Sequence, residues 1–62
     1  MNNYRKMRRR ADMDAATAAK RLGVSPNTIN NWESGKTSPT AEKLVKMTEL
    51  YGCTVDDLLA LR

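Results

Sequence analysis

The sequence reads as an all-α domain of five short helices, and three features lead there. Apolar residues recur three and four positions apart along the chain, the spacing of one helix face. The interruptions fall at Gly23, Gly35 and Gly52 and at Pro26 and Pro39, residues that stop or start helices rather than continue them. Finally, 62 residues, 40% of them apolar, suffice for one small core and no second one, so a single domain is expected over 1–62.

The first helix is expected over Tyr4 to Ala11. Tyr4, Met7 and Ala11 share one side of it, Arg5, Lys6, Arg9 and Arg10 point elsewhere, and Arg8 falls on the edge of the apolar stripe. Asp14 is a good N-cap that also suits the positive end of a helix. The second helix therefore runs from Ala15 to Leu22, with Ala15, Ala18, Ala19 and Leu22 on one closely packing stripe. Gly23 stands where a C-terminal cap needs left-handed backbone, and Ser25-Pro26 supplies an N-cap and a proline at the first helical position. A third helix, Pro26 to about Ser34, thus starts almost at once and stops at Gly35, before the polar turn Lys36-Thr37-Ser38-Pro39. Thr40 caps a fourth helix that runs to Tyr51 with Leu44, Met47, Thr48 and Tyr51 facing inward, and Gly52 ends it. The fifth opens at Thr54, with Asp57 three residues on in a near capping box, and carries Val55, Leu58, Leu59 and Leu61.

Charge narrows the function. Lys and Arg number 11 against 7 Asp and Glu, a net +4. The surplus lies in front: residues 1 to 36 hold 8 bases and 3 acids, residues 37 to 62 hold 3 and 4. A basic front half suits a polyanionic partner. With no His, no Gly-rich phosphate loop and no nucleophile set beside a base, nothing supports an enzyme. No Cys or His cluster can hold a metal, and no cofactor or small-molecule site is evident. The lone Cys53 fits a reducing compartment and is read as an apolar residue packing under the Gly52 cap. No run is apolar and long enough for a signal peptide or a membrane span, so a cytoplasmic location is expected.

Residues 15 to 34, two short helices joined by Gly23-Val24-Ser25, have the pattern of a helix-turn-helix. On the third helix Asn27, Asn30, Asn31 and Ser34 share one face while Ile29 and Trp32 occupy the other. The plain reading is a face turned to water. Helix propensity argues against it: three Asn cost up to about 0.7 kcal/mol each relative to Ala, roughly 2 kcal/mol in a domain with few to spare. Asn is suited instead to paired donor and acceptor contacts with the N6 and N7 edge of adenine in the major groove.

Residues 4 to 61 resemble the phage repressor and Cro type (lambda repressor-like, XRE-type) of helix-turn-helix DNA-binding domain. The resemblance rests on Ala19-Lys20-Arg21-Leu22-Gly23-Val24-Ser25, on Thr28-Ile29-Asn30-Asn31-Trp32-Glu33-Ser34-Gly35-Lys36-Thr37-Ser38-Pro39, and on Tyr51-Gly52-Cys53-Thr54-Val55-Asp56-Asp57-Leu58-Leu59. The Trp-Glu-Ser-Gly-Lys segment with a proline three residues later is the most specific. It implies a five-helix domain that usually works as a dimer on an operator near a promoter. It also implies base contacts from Pro26, Asn27 and Asn31, with Asn30 and Ser34 nearby, and an ion pair between Arg8 and Glu33 tying the first helix to the third. Two departures stand out. Pro26 replaces a side chain that can often hydrogen-bond, leaving van der Waals contact, as to a thymine methyl. Ala15 replaces a Gln that commonly grips phosphate, although the helix N-terminus there still offers backbone N–H groups.

Arg5, Lys6, Arg9, Arg10 and Lys36 are further candidates for phosphate contacts, and the loop Lys36-Thr37-Ser38 is the better placed because it leaves the recognition helix. Leu50 falls off the core stripe of its helix, and Val55, Leu58, Leu59 and Leu61 surround theirs, more apolar faces than one small core can use. Leu50, Val55, Leu59 and Leu61 are therefore read as a self-association surface for a homodimer. Two functions compete: a Cro-like repressor reading a palindromic operator on double-stranded DNA, and a protein-interaction module, antitoxin-like, using the same fold. The uncharged Asn face favours the first.

Overall fold

A computed structural model of the chain describes residues 2–60. It consists of α1 (Tyr4–Arg10), α2 (Ala15–Leu22), α3 (Pro26–Ser34), α4 (Ala41–Tyr51) and α5 (Val55–Leu59), with no strand among the described residues. Four of the helices begin on the side chain that local chemistry selects. Asp14 accepts from the Thr17 N–H, Ser25 from Thr28, Thr40 from Lys43 and Thr54 from Asp57, and Asp57 returns the bond to close a full capping box. Ala11, expected as the last residue of α1, is its C-cap, and the chain then turns through Asp12 at φ 60°, a left-handed position that Asp tolerates.

The helix ends are closed twice over. Gly23, Gly35 and Gly52 all adopt left-handed backbone after α2, α3 and α4. A carbonyl at each end also receives a donor from far along the chain. Lys43 Nζ donates to Leu22 O at 3.0 Å, Asn2 Nδ2 to Trp32 O at 3.1 Å, and an Arg10 guanidinium nitrogen to Gly52 O at 3.2 Å. The N-terminal segment also holds α5, since the Asn3 N–H donates to Leu58 O and its side chain to Asp57 O.

All five helices contribute to one core of Tyr4, Met7, Ala18, Ala19, Leu22, Ile29, Trp32, Met47, Tyr51 and Leu58. Ala18 and Ala19 let α2 and α3 approach closely, and these two helices share the most extensive packing. The residues of the expected self-association surface differ in exposure. Leu50 and Leu59 are half-buried against the core, because in so small a domain residues flanking a helix's inner stripe are covered by its neighbours; Leu50 lies in the groove beside Leu22 of α2. The exposed large apolar residues among those described are Val45 at 53%, which the sequence reading did not single out, and Val55 at 37%. Leu61 lies outside the described residues.

Candidate nucleic-acid interface

The turn between α2 and α3 is built from backbone bonds that the residues at 23 to 25 impose. Left-handed Gly23 returns its N–H to the last turn of α2, and the Val24 N–H reaches Ala19 O at 2.9 Å. Ser25 caps the next helix, its hydroxyl also lies 3.0 Å from that of Thr28, and Pro26 occupies a position where no N–H is needed. The second helix of the pair therefore leaves the first with no slack chain between them.

Ile29 and Trp32 anchor α3 in the core, and the opposite face carries Pro26, Asn27, Asn30 and Ser34, all exposed, with Asn31 half-buried at its edge. The side-chain hydrogen bonds of α3 are made by Thr28, Glu33 and Ser34; the amides of Asn27, Asn30 and Asn31 bond to no other described residue. Ser34 differs from the expectation. Its hydroxyl donates to Asn31 O at 3.2 Å, so only its acceptor capacity faces outward.

The loop after α3 is wrapped onto the helix it leaves. Asn31 O accepts the N–H groups of Lys36 at 2.9 Å and Thr37 at 3.3 Å, which are thereby withdrawn from any ligand. What remains outward are the Lys36 ammonium, the Thr37 hydroxyl and Ser38, all on exposed residues. At the start of α2, Ala15 is half-buried and the Asp14 carboxylate holds the Thr17 N–H at 2.7 Å. That backbone bond keeps the Asp14 carboxyl below its ordinary pKa, so a negative charge sits beside the N–H groups offered there.

Glu33 explains how α3 is oriented. Its carboxylate, 1% exposed, accepts from Arg8 Nε at 2.6 Å and from Arg8 Nη2 at 3.0 Å, a two-point pair, and from Arg5 Nε at 3.1 Å. Burial pushes its pKa up, but hydrogen bonds and charge from Arg8 and Arg5 outweigh it and hold the carboxyl below its ordinary value. Arg8 also donates to Met13 O at 2.9 Å, so one guanidinium joins α1, the entry to α2 and α3. Arg5 joins this cluster through Nε while its side chain stays 55% exposed. Arg10 donates to Gly52 O at the end of α4. Sequence reasoning missed Arg5 on Glu33, Asn2 on Trp32 and Lys43 on Leu22. None leaves a local signal, because each bond spans 21 to 30 positions.

A short-turn helix pair presenting unengaged amides on its second member defines a helix-turn-helix DNA-binding domain. Residues 5–58 match the helix-turn-helix family HTH_3, and the chain belongs to that family as a DNA-binding transcriptional regulator of the repressor and Cro type. Its structure is similar to that of the P22 c2 repressor protein in complex with synthetic operator 9T, at 32% identity and a TM-score of 0.82, covering 90% of this chain and 85% of that one. A transcriptional regulator from Listeria innocua shares the fold at 23% identity and a TM-score of 0.84, covering 97% of this chain and 56% of the other. No curated protein sequence matches the chain. No helix among the described residues is long and apolar enough to cross a membrane.

Proposed function

We propose that the chain is a Cro-like repressor, a homodimer that lays α3 in the major groove of double-stranded DNA and reads a palindromic operator. The observation that carries this reading is the face of Asn27, Asn30 and Asn31, three amides on the outer side of α3 with no partner among the described residues. Each can pair with an adenine edge, Pro26 beside them touches a thymine methyl, and Ser34 accepts a bond. Lys36, Thr37 and Ser38, with the N–H groups of α2 near Ala15, hold the flanking phosphates. The c2 repressor, 32% identical over most of the chain, was crystallised with operator, which supports the same docking here. Val55 on α5, with the half-buried Leu50 and Leu59 beside the core, is the proposed two-fold contact.

Selection of bound duplexes from a random library at about 0.15 M salt tests the reading, since non-specific phosphate binding is then weak enough to be competed away. The expected result is a palindrome with half-sites centred about 10 base pairs apart. On that site Asn31→Ala is expected to cost about 1 to 3 kcal/mol and to relax one base position, whereas Lys36→Ala weakens all sequences alike. If no motif is enriched, the asparagine face is a solvated surface and a protein partner takes the place of DNA.

A further inference from the structure

We propose that Lys43 is a positioning residue for base reading, setting the recognition helix by holding together the two chain segments that flank it. The inference rests on the reading of α3 given above, and the observation behind it is a bond outside the motif. Lys43 lies in the first turn of α4, where its own N–H is fixed by the Thr40 side chain at 3.2 Å. Its ammonium reaches back 21 positions to Leu22 O at 3.0 Å, in partly buried surroundings. Leu22 is the last residue of α2, so its carbonyl lies in the turn that has no further helical N–H to accept and carries the negative end of the helix dipole. A charged donor at that point makes a stronger bond than a neutral one.

The placement gives the bond its consequence. Helix α3 is entered through Gly23, Val24 and Ser25, directly after Leu22, and left through residues 36–40, directly before α4. Lys43 therefore joins the start of the entry turn to the element into which the exit loop runs. The base-reading amides sit on the helix between these segments, and the proposed phosphate contacts sit on the exit loop. Asn31 O already holds the loop to α3 through the Lys36 and Thr37 N–H groups, so what the Leu22 to Lys43 bond fixes before DNA arrives is the setting of α2, whose start is the other proposed phosphate contact, against α3 and that loop. Without it, α2 and the turn move relative to the loop, and base edges and phosphates are no longer met in one docked pose.

A merely stabilising lysine predicts something different. Loss of folded protein lowers binding to a selected site and to random duplex by the same factor, so the ratio of the two affinities stays constant. A misplaced α3 lowers the ratio. Lys43→Met keeps the length of the side chain and removes the donor; Lys43→Arg keeps a cationic donor. The selected-to-random ratio is expected to fall about tenfold in Lys43→Met, the loss of roughly one base contact, and to recover in Lys43→Arg, with the salt dependence of random binding unchanged in both. An unchanged ratio in Lys43→Met overturns the proposal. So does a salt slope reduced by about one, which makes Lys43 a phosphate contact itself. Should the parent protein prefer no sequence at all, the base-reading proposal fails first, and amide exchange then decides on Lys43. Faster exchange at Gly23 and Val24 alone in Lys43→Met supports its hold on the turn, whereas uniformly faster or unchanged exchange overturns it.

Discussion

Glu33 and Arg8 each make three side-chain hydrogen bonds, and the surroundings of Glu33 decide what replacing it does. The carboxylate is 1% exposed and faces two arginines, one of them only 10% exposed along its side chain. Removing one member of a buried pair leaves the other charge desolvated, at a cost of about 3 kcal/mol or more. Glu33→Gln keeps the shape and removes the charge, so the Tm is expected to drop by more than about 10 °C in a domain of this size, measured by circular dichroism at neutral pH. DNA binding weakens with it, because α3 loses its tie to α1. An unchanged Tm means that the pair adds nothing to stability. The sequence carried half of this cluster: Arg8 lies beside the apolar stripe of its helix and Glu33 beside the core side of the third. Arg5 points away from the stripe on a helical wheel, and only the tertiary approach of α1 to α3 turns its long side chain onto the same carboxylate.

The first four helices were legible to within a residue because their boundaries are local chemistry, whereas α5 ends at Leu59, with Ala60 in left-handed backbone, short of the Leu61 expected on it. Asp14, Ser25, Thr40 and Thr54 each satisfy an N–H three residues ahead, and Gly23, Gly35 and Gly52 each supply the backbone that ends a helix. What joins one element to another, such as Lys43 or Asn2 on a carbonyl far along the chain, carries no sequence pattern and was not legible. The polar side of α3 followed from the helical wheel, with Asn27 and Asn30 exposed and Asn31 half-buried at its edge, but the inward bond of Ser34 and the folding back of Lys36 and Thr37 depend on the C-terminal turn that forms at Asn31. One element-scale prediction follows from the cap of α2. Asp14 stabilises the helix start but sets a negative charge where a phosphate is proposed to sit. Asn caps as well as Asp and carries no charge. Asp14→Asn is therefore expected to leave the Tm within a few degrees and to tighten binding to selected and random duplexes by a similar factor, measured by titration at two salt concentrations. Unchanged binding in the variant places the start of α2 away from the DNA backbone.

At the scale of the molecule, the ionisable groups bound the pH range in which the domain is stable. Hydrogen bonds from Thr17 and Thr54 backbone hold Asp14 and Asp57 below their ordinary value of 3.8, and the arginines hold Glu33 below 4.5 against the opposing effect of burial. A group whose pKa is lower folded than unfolded stabilises the fold above its unfolded value, and that contribution is lost as pH falls through the folded one. The acid side therefore weakens below about pH 4.5. On the alkaline side burial pushes Tyr51 up to about 12, helped by the charge of Glu33, and raises Tyr4 and Cys53 as well. Groups raised on folding stabilise the neutral form in full below their unfolded values, 9.0 for the thiol and 10.0 for the phenols, and lose that contribution as pH climbs through the folded ones. Thermal melts across pH 2 to 11, a range of about nine units, are expected to give a plateau from about 5 to 9 with Tm falling on both flanks. Glu33→Gln, which removes the most buried of the three carboxylates, is expected to flatten the acid flank while leaving most of the alkaline one. A Tm that rises as pH drops below 4.5 contradicts the paired state of these carboxylates. An acid flank equally steep in Glu33→Gln assigns it to Asp14 and Asp57 instead, and the tie between α1 and the recognition helix is then not what acid breaks.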